Sequence, residues 1–124
     1  PVYYAHPSGR IMSFLDRVFC CGRKYMEHKP GAAVAVARRA GTTASVDALN
    51  KYFGIAQMPI VSSTYWDVVH GRVPGEAEQD GEGMQTMRNL ARNMAWLLKC
   101  IEAGKAAGIE LPQAETDVKT NFIR

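Results

Sequence analysis

Apolar residues recur at helical spacing near the front of the chain. Ile11, Phe14, Leu15, Val18 and Phe19 share one side, while Arg10, Asp16 and Arg17 take the other. Ser8 stands where an N-cap is wanted and Gly22 where a helix stops, so the pattern predicts a helix from about Gly9 to about Cys21. After Pro30-Gly31 comes Ala32 to Ala37, a short run of small and β-branched residues ended by Arg38-Arg39. Its length and flanks predict a strand covered on both faces, as in a parallel sheet, rather than a buried helical turn. Arg38 to Thr43 read as a loop, with Gly41 and two threonines able to cap the next helix. Val46, Leu49, Asn50 and Phe53 predict that second helix, closed by Gly54. Met58 to Ser63 reads as a second short strand, with Pro59 tolerable only near its start or on an edge.

Asp67 to Asp80 reads as a long irregular segment, and loops of that length in a compact domain are usually functional or disordered. A third helix is expected from about Gly81 to about Ala103, ended by Gly104. Met84, Met87, Leu90, Ala91, Met94, Leu97, Leu98 and Ile101 form its apolar stripe. Asp80 and Glu82 lie near its start and Lys99 near its end, which suits the helix dipole. The tail, 105–124, is polar and weakly patterned.

Helices and strands that alternate in this way predict an α/β fold with a parallel sheet and right-handed crossovers. A strand exit is expected at the very front. Two and a half strands bury little, so more sheet is expected from a preceding segment or from another chain. The start at Pro1, without a methionine, fits the first alternative.

Composition narrows the function classes. With 124 residues, 47% hydrophobic and 22% charged, the chain suits one ordinary globular domain. A formal net charge of +3, spread evenly, gives no case for a nucleic-acid partner. No apolar run is long enough to span a bilayer and no leader is visible, so no membrane partner is expected. Cys20, Cys21 and Cys100 are an odd set with two members adjacent in a helix, which suits reduced, mostly buried thiols in the cytoplasm better than disulfides. Nothing in the spacing suggests a metal site.

In open parallel sheets, ligands bind at the carboxyl ends of the strands. Three segments are expected on that rim: Pro1 to Gly9, Ala37 to Thr43 and Ser63 to Asp80. Together they offer Tyr3, Tyr4, the helix start at Ser8-Gly9, Arg38, Arg39, Gly41, Tyr65, Trp66 and His70. Stacking faces, N–H donors and positive charge favour a planar heterocycle that gains electron density on reduction.

Pro1-Val2-Tyr3-Tyr4, followed by Ser8-Gly9-Arg10 and a helix carrying Asp16-Arg17, resembles the flavin-embracing segment of the flavodoxin-like NAD(P)H-dependent FMN reductases. The iron–sulfur flavoproteins share that segment. Tyr65-Trp66, Val69-His70-Gly71, Met84 to Arg88 and Arg92 to Lys99 are similar to one branch of the same family. The resemblance implies a three-layer, flavodoxin-like sandwich with a sheet of order 2-1-3-4-5. This chain would carry the end of the third strand, the fourth and the fifth. Residues 1–104 would be the C-terminal half of an FMN-binding domain and 105–124 a polar tail.

By that resemblance Pro1, Val2, Tyr3, Tyr4, Ser8 and Gly9 line the isoalloxazine ring. Arg38, Arg39, Ala40 and Gly41 form its second wall. Tyr65, Trp66 and His70 sit at the mouth or at a subunit interface, in a homodimer or homotetramer. His70 is expected to be structural. The implied activity is transfer of electrons from NAD(P)H through FMN to a small acceptor such as a quinone or free flavin. A flavodoxin-like electron carrier or non-catalytic flavin-binding module is the alternative. Two departures stand out: the family's phosphate-cradling loop has no counterpart here, and neither has the cysteine cluster of the iron–sulfur branch.

Overall fold

The computed structural model describes residues 1–121. The chain opens not with a strand exit but with an antiparallel hairpin, β1 (Val2–Tyr3) and β2 (His6–Pro7), pairing Val2 with Pro7 and Tyr3 with His6. Tyr4 and Ala5 make its turn with φ of 50° and 59°. Two left-handed residues give the mirror-image turn whose twist suits a two-residue hairpin. Helix α1 (Gly9–Gly22) comes directly after it and runs into a single 3-10 turn, Arg23–Tyr25. Ser8 does stand at the N-cap of α1, although its side chain makes no capping bond. The α-helix ends at Gly22, the residue expected to stop it, and the path tightens there into the 3-10 turn because Arg23 is still right-handed.

Strand β3 (Ala35–Ala37) is shorter than the expected run, and helix α2 (Thr42–Ile55) begins one residue after Gly41. The partner of β3 is β4 (Val68–His70), which lies inside the segment expected to be irregular. The two pair in parallel, Ala35 with Val68, Val36 with Val69 and Ala37 with His70. Met58 to Ser63 is not a strand. It touches the ladder only through an isolated parallel bridge, Gly31 with Ile60. Pro59 has no N–H to give, and its carbonyl accepts from the Gly31 N–H at 2.9 Å. From that bridge to the first pair of β4 one side advances four residues and the other eight. The four extra residues bow out over helix α3 (Gly81–Ala106). Side chains and backbone of α3 hold the bow: Asn93 donates to the Ser62 carbonyl, Asn89 donates to Thr64, and Ser63 donates to the Thr86 carbonyl.

The core lies between the sheet and α2. Ala33, Ala35, Val46 and Val68 are buried together, with Val2, Leu49 and Phe53 packed against them. Small residues on β3 let α2 approach closely, and Val68 completes the layer. The opposite face is covered only in part. Gly83 brings the first turn of α3 against Val69, where a Cβ would sit 3.1 Å from the Val69 Cα. Val34 and Val36 on that face stay exposed. So β3 is not covered on both faces, as its composition suggested. Tyr52 of α2 donates to the Asp16 carboxylate of α1, which ties the two helices and holds the tyrosine's pKa above its ordinary value.

Helix α3 runs through Gly104 to Ala106, so the tail assigned to 105–124 starts inside a helix, and its residues 122–124 lie outside the described residues. The helix is roughly 39 Å long at 1.5 Å per residue. From Ala91 onward none of its residues is buried. No helix among the described residues is long and apolar enough to cross a membrane.

Asp67 ends the bow and is buried, and its Oδ1 has no partner among the described residues. Burial pushes its carboxyl pKa up. A carboxyl raised in the fold favours the protonated form, so its contribution to stability is greatest at low pH and fades as pH rises through the folded pKa. Asp67→Asn is therefore expected to stabilise the fold by about 1 kcal/mol at about pH 8 and by little at about pH 4. Thermal unfolding followed by circular dichroism at both pH values checks this; an equal shift at both would contradict it.

Candidate functional site

The carboxyl end of β3 opens into a cleft of about 540 Å³ lined by Val2, Ala37, Arg38, Arg39 and Ala40. That volume falls within the range of small-molecule sites, about 300–1,000 Å³. The floor is apolar and both guanidinium-bearing residues are open to solvent. Among the described residues no protein acceptor takes the backbone N–H of Arg38 or Ala40. The rim therefore presents positive charge and open N–H donors beside apolar surface. A planar, electron-accepting ring with carbonyl groups on its edge meets each of these features with a matching one, the positive charge serving the density it gains on reduction.

Gly41 allows the two walls to meet. Its φ is 91°, and a Cβ there would lie 2.5 Å from the Ala5 Cα and 3.0 Å from Val2 Cγ1. The hairpin turn rests directly on this hydrogen-only position. The same residue starts α2: its carbonyl accepts from the buried Ser45 hydroxyl at 2.9 Å and from the Ser45 N–H at 3.1 Å. One glycine thus sets the end of the cleft loop, the seat of the hairpin and the first turn of a helix.

His70, at the carboxyl end of β4, braces the loop from the other side. Its Nε2 lies 3.1 Å from the Arg39 carbonyl, which requires that nitrogen to carry the proton. The Asp80 carboxylate accepts from the His70 N–H at 2.7 Å and from the Gly83 N–H at 2.9 Å. The Gly83 bond first, then the His70 bond, hold the Asp80 carboxyl below its usual range. Asp80 is both the N-cap of α3 and the link from α3 to β4. Between them the chain folds tightly: the Glu76 carboxylate accepts from the N–H groups of Arg72 and Val73, and Gly71 passes over Ala77 too closely for a Cβ.

Of the residues expected at the ring, Val2, Arg38, Arg39 and Ala40 share one cleft, with Gly41 beneath it. Pro1 and Ser8 line a different cleft of about 250 Å³, with Pro7, Ile11, Ser45 and Leu49 among its walls. Tyr3 and Tyr4 are exposed on the hairpin and line neither, and Tyr4 is wholly in solvent. Gly9 opens α1 and lines neither cleft. His70 reaches the site through Arg39. Tyr65 and Trp66 do not lie on the carboxyl rim with it. They precede β4, at the amino end of the sheet, exposed and in ring contact with one another at 6.3 Å. The reason is the position of the strand: with β4 at Val68–His70, the residues before it fall at one end of the sheet and those after it at the other. Ala5, Ala37 and Asp80 take part without having been singled out as site residues. Asp80 carried a signal, as an acid preceding a helical pattern; a Tyr-Ala turn carries none.

Among the described residues no group of three or more His, Cys, Asp or Glu side chains is placed to hold a metal ion.

Two changes test this arrangement. Gly41→Val should displace the hairpin and destabilise the fold by roughly 1–3 kcal/mol, seen as a lower unfolding midpoint. Asp80→Ala removes a cap and a tie to β4 and should cost about 1–2 kcal/mol at neutral pH. Because the Asp80 carboxyl is depressed in the fold, that contribution is present above the ordinary carboxylate pKa and lost as pH falls through the folded value. The wild-type advantage over Asp80→Ala should therefore vanish in acid; an advantage independent of pH would contradict the assignment.

The family model of the NADPH-dependent FMN reductases matches residues 1–72. An iron–sulfur flavoprotein of Methanocaldococcus jannaschii is 28% identical over 110 residues, which cover 82% of this chain and 57% of that protein. The chain thus spans little more than half the length of that relative. No solved structure matches it. The matched stretch holds the hairpin, the cleft loop and both strands of the parallel sheet, and it is more than half of the chain. The chain belongs to the NADPH-dependent FMN reductase family.

Proposed function

We propose that this chain supplies the ring-binding part of a flavodoxin-like, FMN-dependent oxidoreductase that takes electrons from NAD(P)H and passes them to a small acceptor such as a quinone or free flavin. The observation that carries this reading is the cleft at the end of β3, with two arginines and open N–H donors beside apolar surface, in a member of this family. When bound, FMN supplies the ring that accepts hydride and releases electrons. Val2, Ala37 and Ala40 offer that ring an apolar bed. Arg38 and Arg39 would offer positive charge to the ring as it is reduced, and the open N–H groups of Arg38 and Ala40 would donate to its carbonyl edge. Gly41 and Ala5 hold the two walls together. Tyr3 and Tyr4 stand outside the cleft and would serve as an outer wall, offering stacking faces from the solvent side.

The residues fit the ring of FMN, not its phosphate, for which the sequence has no cradling loop. In the wider reading the sheet has the order 2-1-3-4-5, with β3 and β4 as its fourth and fifth strands. The exposed face at Val34 and Val36 would then be covered by a helix of the rest of such a sandwich, with further strands pairing along the edge. Assembly as a homodimer or homotetramer in the cytoplasm belongs to the same proposal, with Tyr65 and Trp66 at the subunit contact.

The solvent exposure of Arg38, Arg39 and Ala40 favours a second reading, a carrier whose flavin edge faces water. NADPH oxidation with a quinone by the flavin-loaded protein separates the two: turnover supports the enzyme, and bound flavin without turnover supports the carrier.

Quenching of FMN fluorescence on titration with the chain tests the site. The Arg38→Ala, Arg39→Ala double variant should bind at least about tenfold more weakly, or ~1.4 kcal/mol. Tyr3→Ala should lose roughly 1 kcal/mol if the outer wall stacks. Unchanged affinity in both variants would remove the site from this cleft.

A further inference from the structure

A second cleft, of about 440 Å³, lies at the end of α1 and is lined by Phe19, Cys20, Cys21, Arg23, Lys24 and Glu27. It is far along the helix from the hairpin and shares no residue with the cleft at β3. We propose that it is a thiol-modification site for a charged peptide disulfide of the glutathione class, which forms a mixed disulfide with the Cys20–Cys21 pair.

Three observations support this. Contrary to the expectation of mostly buried thiols, Cys20 and Cys21 are free and exposed, so a bulky disulfide has access to them. The charges in the cleft are complementary to one glutathionyl arm. Two carboxylates and one ammonium would face two cations, Arg23 and Lys24, and one carboxylate, Glu27. Among the described residues none of these three is ion-paired. Lys24 is steadied with its ammonium 5.0 Å from the centre of the Tyr25 ring. The cleft lies at the negative end of the α1 dipole, where Arg23 and Lys24 offset the local potential. Finally, Phe19 gives the cleft a fixed wall, since it is buried against Tyr52 and Phe53.

The backbone decides what the product is. Cys20 and Cys21 are consecutive residues within α1. Consecutive Cα atoms lie about 3.8 Å apart, below the ~4.4–6.8 Å that a disulfide spans, so the pair cannot close on itself without breaking the helix. Cys100 lies on α3 and lines another cleft, with Ile109 and Leu111 among its walls. The incoming disulfide therefore has no second protein thiol to resolve it. A cysteine thiolate attacks one sulfur, the bond between the two glutathionyl sulfurs breaks and a new sulfur–sulfur bond forms. The departing glutathione thiolate takes up the proton that the cysteine released. The protein thiol is oxidised and half of the peptide disulfide is reduced, with no further oxidant.

The chain is exposed at neutral pH to oxidised glutathione and, in parallel, to the uncharged disulfide of 2-mercaptoethanol. Intact mass and peptide mapping follow each cysteine, with Cys100 as the internal reference. With oxidised glutathione the pair should react roughly tenfold faster than Cys100, a preference that electrostatic steering supplies and that high salt erases. With the uncharged disulfide the preference should be absent. Arg23→Ala with Lys24→Ala should abolish it for glutathione and leave the uncharged reaction unchanged. Equal rates at Cys100 and the pair, a preference that survives high salt, or an internal Cys20–Cys21 disulfide as product would overturn the proposal.

Discussion

Three parallel residue pairs between β3 and β4 are the constraint on which the remaining structure rests. A parallel ladder is stable only when its faces are dry, and a pair of three-residue strands has little to spare. Here α2 dries one face through Ala33, Ala35, Val46 and Val68. The other is dried only at Val69, by the glycine-bearing first turn of α3. The two chain exits at the end of the ladder, residues 38–41 and 70–71, are the places where the candidate chemistry gathers. Their geometry is therefore set by the same bonds that hold the sheet.

Two small devices convert that ladder into a cleft. One is Gly41, which lets a hairpin turn sit where any side chain would push it off. The other is Asp80, whose two oxygens fasten the start of α3 to the last strand residue. His70 then passes the constraint to the Arg39 carbonyl. Tyr4 and Ala5 are left-handed without being glycine or asparagine, a conformation that costs on the order of 1 kcal/mol each and persists only when the surroundings over-determine it. Ala5 adopts it at the contact with Gly41, at the edge of the cleft, while the Tyr4 side chain projects into solvent.

The helices were legible because their signals are local. The apolar spacing from Ile11 to Phe19, the glycine before Thr42 and the acid before Gly81 each mark an end or a face. The strands were not, because β4 is set by pairing at a distance. Val68-Val69 are flanked by a buried acid and a histidine, whereas Met58 to Ser63 has the better local composition and loses. Pro59 lacks a donor, and the polar side chains of α3 hold residues 62–64 away from the ladder. The cleft was half legible. Arginines after an apolar strand are a visible sign, so Arg38 to Gly41 emerged together with Val2. The separation of Tyr65-Trp66 from His70 was hidden, since it depends on where β4 begins.

Helix α3 outlasts the sheet by about four turns, and from Ala91 on it has no buried residue. Its amino half is locked by a cap, a glycine contact and two polar ties, and Asn93 adds a third just past Ala91. Farther out, the helix has one ion pair of its own, Lys105 with Glu102, and the turn at Ile109 beside Gly104. A helix without tertiary cover opens by fraying, with free energies near those of an isolated peptide. Protection is therefore expected to fall along the helix from its amino half to its carboxyl end. Amides before Leu90 are expected to exchange with solvent through global opening, and those well past Asn93 through a local melting that leaves the cleft intact.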